Sequence, residues 1–428
     1  MKNTSFILFL SLLLFKILLE INYVYFIYPV FSYIEFILDI NFIKMLESYL
    51  FFIIGFLVLP FDDKKISNSL LFILFIFNFI PLSSYYFLTN NYRIYMYGVF
   101  SAYMLLALLI YVLKFKIKKY EIKIKIKLNY NYILLILIII FILYSFKNIS
   151  KINLEVFLNK NIYEIRKNLK LNGIIGYLIP WFGNIIIPTF ILKNFLEKNK
   201  IYCLSGIFFQ MLFFSMFPFK TFLVIPFFMI TNCLLWKRKS FKLKIINLFN
   251  LIIIISMVLY YIFDKLIFLS LIVRRVFLVP AQMNFIYYDY IQQGGKKLFY
   301  SGGQIGRLFN LKYPYEINFA HYIGKNYFLN EGTSANTGLF ADAYVNLGFL
   351  GIIVITLFLA IFFLLIDKIS ENNKVFSFGI LVFYINSLTN TSFFTAVLTH
   401  GLGLAVVLIL LNGANNEINK QNIKNRYY

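Results

Sequence analysis

The chain has 428 residues, carries 41 Lys and Arg against 18 Asp and Glu for a formal charge of +23, and is 61% hydrophobic with only 14% charged residues. That is too little polar surface to cover a water-soluble globule of this size. The apolar runs are about 17 to 25 residues long, not the alternating ten-residue strands of a barrel, so the expected fold class is an all-α polytopic membrane protein.

In chain order, the first run, MKNTSFILFLSLLLFKILLEI, has no small-residue cleavage site after it and reads as a retained span, not a removed signal. Hydrophobic runs then place about twelve transmembrane helices in one integral membrane domain, 1–428: residues 5–21, 43–60, 67–88, 94–113, 130–146, 173–192, 201–216, 221–236, 246–270, 338–366, 375–390 and 394–411. Between the first two, Glu35 and Asp39 in FSYIEFILDI are spaced i, i+4, the pattern of a polar face on a helix lying in the interface; a metal-dependent glycosyltransferase would also want acids there. Cys203 and Cys233 lie inside apolar runs and read as small apolar residues, without a disulfide framework.

With a cytoplasmic N-terminus, the inner segments are KFKIKKYEIKIKIK at 114–127, KNFLEKNK at 193–200, WKRKSFKLK at 236–244 and the tail 412–428. The positive-inside rule then puts both termini in the cytoplasm, and the lysines read as topology anchors attracted to anionic membrane lipid, with no nucleic acid as partner. Only two outer loops are long, 147–172 and 271–337. Both are unusually basic for that side: the first holds Lys147, Lys151, Lys160, Arg166, Lys167 and Lys170, the second Arg274, Arg275, Lys296, Lys297, Arg307, Lys312 and Lys325. An anionic ligand is expected there.

Arg274 and Arg275 leave the ninth run in LIVRRVFLVPAQ, and side chains about 100° apart let one face a cavity while the other snorkels to headgroups. A guanidinium fork matches phosphate oxygens as an ammonium does not, which favours them over nearby lysines as a diphosphate clamp. Arg166, in NIYEIRKNLKLNGIIGYLIPWFG, is a second candidate cation beside the plainer reading of a solvated loop arginine; Gly173, Gly176 and Gly183 after it permit close approach of a helix or lipid chain. Lys220, in the short turn FPFKTFLVIP, is either an interfacial anchor or a cation held at the rim.

In EGTSANTGLFADAYVNLGFLG, from Glu331, the polar residues Asn336, Asp342, Tyr344 and Asn346 crowd the start of the run 338–366. As one helix it would measure about 43 Å against a hydrocarbon core of about 30 Å, so its first turns would project above the core. Asp342 and Asn346 share a helical face. Asp342 is expected to take a proton from a sugar hydroxyl or, preferably, to hold an arginine, because an arginine-paired carboxylate has a lowered pKa and is a weak base. His321 in the large outer loop and His400 at the outer end of the last run compete as bases, since histidine titrates near neutrality. Tyr287, Tyr288 and Tyr344 are candidate platforms for sugar rings. The glycines of QQGGKK and SGGQIG lack Walker-type spacing and read as turns.

The segments ANTGLFADAYVNLGFLG at 335–351, RRVFLVPAQMNFIYYDY at 274–290 and FKT at 219–221, with two enlarged outer loops in a roughly twelve-span chain, resemble the polytopic O-antigen polymerases, or oligosaccharide repeat-unit polymerases, and their relatives the O-antigen ligases. The resemblance covers the second half of the chain by sequence and the first half by topology. It implies a GT-C-like glycosyltransferase of the bacterial inner membrane with a periplasmic active site, taking undecaprenyl-diphosphate-linked oligosaccharide as both donor and acceptor. It implies no metal and no other cofactor, and a chain-length-determining co-polymerase as a partner. The catalytic set expected is Arg166, Arg275, Asp342 and His321, with Lys220, Arg274, Asn336, Tyr344, Asn346 and His400 as substrate contacts. A ligase is the nearer rival. A lipid-linked oligosaccharide flippase is the more distant one, because it should show two similar halves and the sequence has no internal repeat.

Overall fold

The computed structural model describes residues 2–60, 62, 65–113, 130–158, 162–169, 173–238, 240–330 and 332–424. The lysine cluster at 114–127, Lys160, Lys170, Glu331 and the last four residues of the tail lie outside the described residues. The described chain is helical, with one isolated bridge between Asp39 and Thr89. In order, its helices are α1 (Thr4–Ile34), α2 (Phe42–Val58), α3 (Ile66–Leu88), α4 (Arg93–Val112), α5 (Asn131–Asn148), α6 (Ile162–Asn168), α7 (Ile175–Leu196), α8 (Lys200–Met216) and α9 (Lys220–Trp236). Then follow α10 (Phe241–Phe263), α11 (Ile267–Gln292), α12 (Gln304–Leu308), α13 (Phe319–Phe328), α14 (Leu339–Leu347), α15 (Phe349–Ile369), α16 (Lys374–Ser387), α17 (Phe393–Leu398) and α18 (Leu402–Lys424). Eight of these, α1, α3, α4, α5, α7, α10, α11 and α15, are long and apolar enough to cross a membrane, so the chain is built as a multi-pass membrane protein. Four more, α8, α9, α16 and the start of α18, are apolar but shorter.

Three runs read from the sequence as unbroken are divided. The run 246–270 stops at Asp264, φ 51°, and α11 begins afresh, so residues 271–292 are helix where a loop was expected. The run 338–366 is split by Gly348, φ 67°, into α14 and α15. Gly401, φ 86°, divides α17 from α18 within 394–411. One residue of positive φ ends a helix without changing the mean hydropathy around it, so an apolar run does not register the break. Glu35 and Asp39 do not share a helical face either. Glu35 sits at φ 63° after a short 3₁₀ turn, and Asp39 pairs through its backbone N–H with the carbonyl of Leu88.

The helices α1, α3, α7 and α11 each contain π-helical turns followed two residues later by proline: Tyr23–Ile27 before Pro29, Phe75–Phe79 before Pro81, Phe182–Ile186 before Pro188, and Ser270–Leu278 before Pro280. Proline has no N–H and its ring crowds the carbonyl four residues back. Those carbonyls belong to Tyr25, Phe77, Asn184 and Val276, each inside the widened turns that relieve the clash.

The described residues of 1–115, 240–364 and 385–393 form one compact unit, and those of 116–239, 365–384 and 394–424 a second. In the first unit α3 is buried over its whole length, as expected of a helix apolar on every side. Phe9 meets Phe52 and Phe56 while Lys16 reaches Ser48, so α2 runs opposite to α1. Gly55 faces Phe75 and Tyr86 donates to Glu47, so α3 turns back again; Asn250 donating to Ser11 and Phe26 packing on Tyr260 set α10 parallel to α1. The C-terminal ends of α1, α3 and α10 therefore share one rim. Both ends of α11 are at this rim: Ile267 follows the end of α10 directly, and Asp289 accepts a hydrogen bond from Tyr92, next to the end of α3. In its middle Phe277 reaches down to Phe15, Phe77 and Phe249. The helix thus enters the bundle and returns.

Midway down the same bundle is a buried ion pair. Lys16, with no exposed surface, lies 2.9 Å from Glu20 and donates to the hydroxyls of Ser48 (2.8 Å) and Ser84 (2.9 Å); Tyr49 donates to the other oxygen of Glu20 at 2.6 Å. Every charge is met by a partner, which is what makes a charge inside an apolar bundle tolerable.

In the second unit α7 is the inner helix, packed on α5, α8 and α9. A Cβ at Gly183 would lie 2.5 Å from the ring of Phe222, so this glycine lets α9 approach closely, as its position in the sequence led us to expect. Gln210 of α8 donates to the carbonyls of Gly183 and Phe222 and ties the three helices together.

Candidate functional site

The rim of the first unit carries most of the residues singled out above. Helix α14 packs on α11 and presents Asp342 from its first turn. Among the described residues the Asp342 carboxylate has no hydrogen bond or ion pair, so the expected arginine partner is absent. Burial, without a cation to oppose it, pushes this carboxyl up to about 7. Burial raises the phenol of its neighbour Tyr300, and the Asp342 charge raises it further. Two buried polar atoms without partners among the described residues flank the start of α14: Thr337 Oγ1, one residue before Gly338, and Asn386 Oδ1, in the segment whose Leu388 and Thr389 carbonyls lie against Leu339 and Gly338.

Asn346 shares the face of Asp342 as expected, but it has a structural task. Its amide donates to the backbone carbonyl of Asp342 at 2.8 Å, and its Oδ1 accepts from the N–H of Tyr300 at 2.6 Å. Together with Leu298 N–H to Val345 O, this clips the loop 298–300 onto α14 beside Asp342. Tyr344 is buried among Tyr95, Tyr288 and Phe349, and Gln292 donates to its hydroxyl at 2.8 Å. Tyr287 is buried too, donating to Ala335 O. Asn336 is exposed two residues from Gly338 and pairs with Ser334 at 3.3 Å. His321 lies, half-buried, in the first turn of α13.

Arg274 and Arg275 lie within the π-helical turns of α11 and divide as expected of adjacent residues. Arg274 is held, its guanidinium 4.1 Å over the ring of Phe31 and its Nε 2.9 Å from Ser270; Arg275 is exposed. Neither makes a described contact with Asp342.

In the second unit Arg166 and Lys220 come together. The Arg166 fork donates through Nε (2.9 Å) and Nη2 to the carbonyl of Pro218, and its plane lies 5.0 Å over Phe219, so it grips the turn that presents Lys220. Val156, Ile162 and Phe214 form the apolar floor beneath it, with Ile165 and Leu223 packed alongside. Lys220 is exposed at the start of α9. His400 sits between α17 and α18 at the same end of this unit, where Trp181 donates to Leu398 O and Gly401 faces the indole. Burial lowers the His400 imidazolium pKa, favouring the neutral ring.

The acid missed by sequence reasoning is Asp289. It takes hydrogen bonds from Tyr92, Tyr327 (2.8 Å) and Gln293 (2.7 Å), the first from 197 residues away. Its i, i+4 spacing to Gln293 is local and visible; its tyrosine partners come from other elements and leave no spacing to read. Comparison of the chain with protein-family models, with curated proteins and with solved structures finds no match in any of the three.

Proposed function

We propose that the chain is a membrane glycosyltransferase that polymerises undecaprenyl-diphosphate-linked oligosaccharide repeat units into O-antigen or capsular polysaccharide on the periplasmic face of the inner membrane. The observation that carries this reading is Asp342: an unpaired carboxyl at a bundle rim, titrating near neutrality, suited to take a proton from an attacking hydroxyl. In the reaction the acceptor hydroxyl oxygen bonds to the anomeric carbon of the donor glycan, the bond from that carbon to the diphosphate oxygen breaks, and the hydroxyl proton passes to Asp342. Undecaprenyl diphosphate leaves carrying the bonding pair. Cations that meet the developing charge better in the transition state than in the ground state accelerate the step. Arg275, in the unit that carries Asp342, is the group assigned to it; Arg166 with Lys220, in the second unit, is a separate basic pair suited to an anionic ligand. With α11 re-entrant, and with α2 and the four shorter apolar helices crossing, the chain makes twelve passes and both termini are cytoplasmic.

The test is the glycan ladder of a deletion strain. A lost polymerase leaves the lipid core capped by a single repeat, whereas a lost ligase leaves no repeat attached. Wild type should restore long chains, and Asp342→Asn, Arg166→Ala and Arg275→Ala, expressed at normal levels, should not. Full ladders from all three variants would refute the proposal.

A further inference from the structure

At the same rim as Asp342, though not lined by it, the first unit has an open cleft of about 870 Å³, towards the upper end of the roughly 300–1,000 Å³ of small-ligand sites. It is walled by the segment 35–44, the loop 90–94, the outer half of α11 and Tyr327. Its charges are two acids, Glu35 and Asp289, and two bases, Lys44 and Arg93. The bases are already engaged. Lys44 donates to the carbonyls of Asn90 (2.8 Å) and Asn91 (2.5 Å), and Arg93 Nε is 3.1 Å from Glu47, its side chain still 44% exposed. The acids keep capacity. Three donors, Tyr92, Tyr327 and Gln293, fill part of the four or so lone-pair positions of Asp289, and Glu35 is exposed with no described partner. The other walls are amides (Asn41, Asn90, Asn91, Gln282), tyrosines, and apolar side chains that include Phe285 and several isoleucines.

We propose that this cleft binds the acceptor: a neutral oligosaccharide lying along Tyr92 and Tyr327, with its hydroxyls donating to Asp289 and Glu35 and accepting from Arg93. Hydroxyls both donate and accept, and so match a lining with acceptors and donors interleaved beside aromatic faces. A diphosphate offers acceptors alone and would lie against the carboxylates of Asp289 and Glu35, so the lipid diphosphate is assigned elsewhere. This assignment rests on the polymerase reading for the source of the sugar, and its test does not require polymerisation.

The detergent-solubilised full chain is titrated calorimetrically with short neutral oligosaccharides from a partial hydrolysate of the host polysaccharide, and separately with inorganic pyrophosphate. Wild type should bind the oligosaccharide. Asp289→Asn and Arg93→Met should each weaken binding about ten-fold or more, as expected when a hydrogen bond involving a charged group is lost. Pyrophosphate at millimolar concentration should not compete. Each variant's unfolding midpoint is measured, and Arg93→Met decides alone where Asp289→Asn unfolds. Absence of binding to wild type, wild-type affinity in a folded Arg93→Met, or displacement by pyrophosphate overturns the assignment. Intact binding with an unchanged ladder in the deletion strain would instead remove the polymerase and keep the saccharide site.

Discussion

At the scale of single residues, Asp342 ties stability to function with opposite signs. Its folded pKa, about 7, lies above the unfolded carboxyl value of about 3.9, so the folded chain holds this proton more tightly. Its contribution to stability is therefore greatest below about pH 4, is lost as the pH rises towards 7, and stays constant above that. Asp342→Asn should raise the unfolding midpoint relative to wild type, and by more at pH 8 than at pH 5. The general-base role requires the opposite trend in activity: glycan extension by wild type should climb as the pH passes through about 7. A midpoint difference that does not vary with pH would mean that Asp342 ionises as an ordinary exposed carboxyl. Gly348 sets where that carboxyl lies. At φ 67° and ψ −148° it occupies backbone space almost closed to other residues, so Gly348→Ala should destabilise the chain by about 1–3 kcal/mol and shorten the glycan ladder. An unchanged midpoint and ladder would show that the α14–α15 break tolerates a side chain.

At the scale of elements, the Lys16–Glu20 pair makes the first helix part of the core. Removing one partner leaves the other charged and buried, so Lys16→Met should lower stability by about 3–5 kcal/mol, whereas Lys16→Met with Glu20→Gln should recover most of it. Thermal unfolding in detergent measures both, and a double variant no better than the single would place the energy in the serine hydrogen bonds. This element also shows what the sequence carries. Mean hydropathy located helices at all twelve runs, because a helix in an apolar medium needs only length and greasiness. It did not locate the breaks at Asp264, Gly348 and Gly401, since a break is a property of one backbone angle. Prolines 29, 81, 188 and 280 were a visible signal of the π-helical turns, through the carbonyl each one obstructs. At the candidate site, the crowd of polar residues before 347 was legible as a rim. The arginine partner expected for Asp342 was not found, because pairing depends on which helices pack together and not on which residues are abundant. Asp289 was invisible for the same reason: its tyrosines arrive from α13 and from the loop before α4.

At the scale of the whole molecule, the reading depends on the path of α11. If this helix crossed the bundle, residues 293–337 would be cytoplasmic and Asp342 would face the wrong compartment for a lipid-linked glycan; if it re-enters, they share a side with Asp264. Exposed lysines on either flank separate the two cases. Lys265 lies just before α11 and Lys312 well after it, and both have exposed side chains. With Cys203 replaced by Ser, Lys265→Cys and Lys312→Cys should each react with a membrane-impermeant maleimide in intact spheroplasts. Lys200→Cys, at the opposite end of the second unit from Lys220, should react only after lysis. Cys233, fully buried, contributes no background. Labelling of Lys265→Cys from outside with Lys312→Cys protected would make α11 a through-span, place the Asp342 rim in the cytoplasm and end the case for polymerisation outside the cell. Labelling of both in intact spheroplasts fixes the rim outside, as the proposed polymerisation requires.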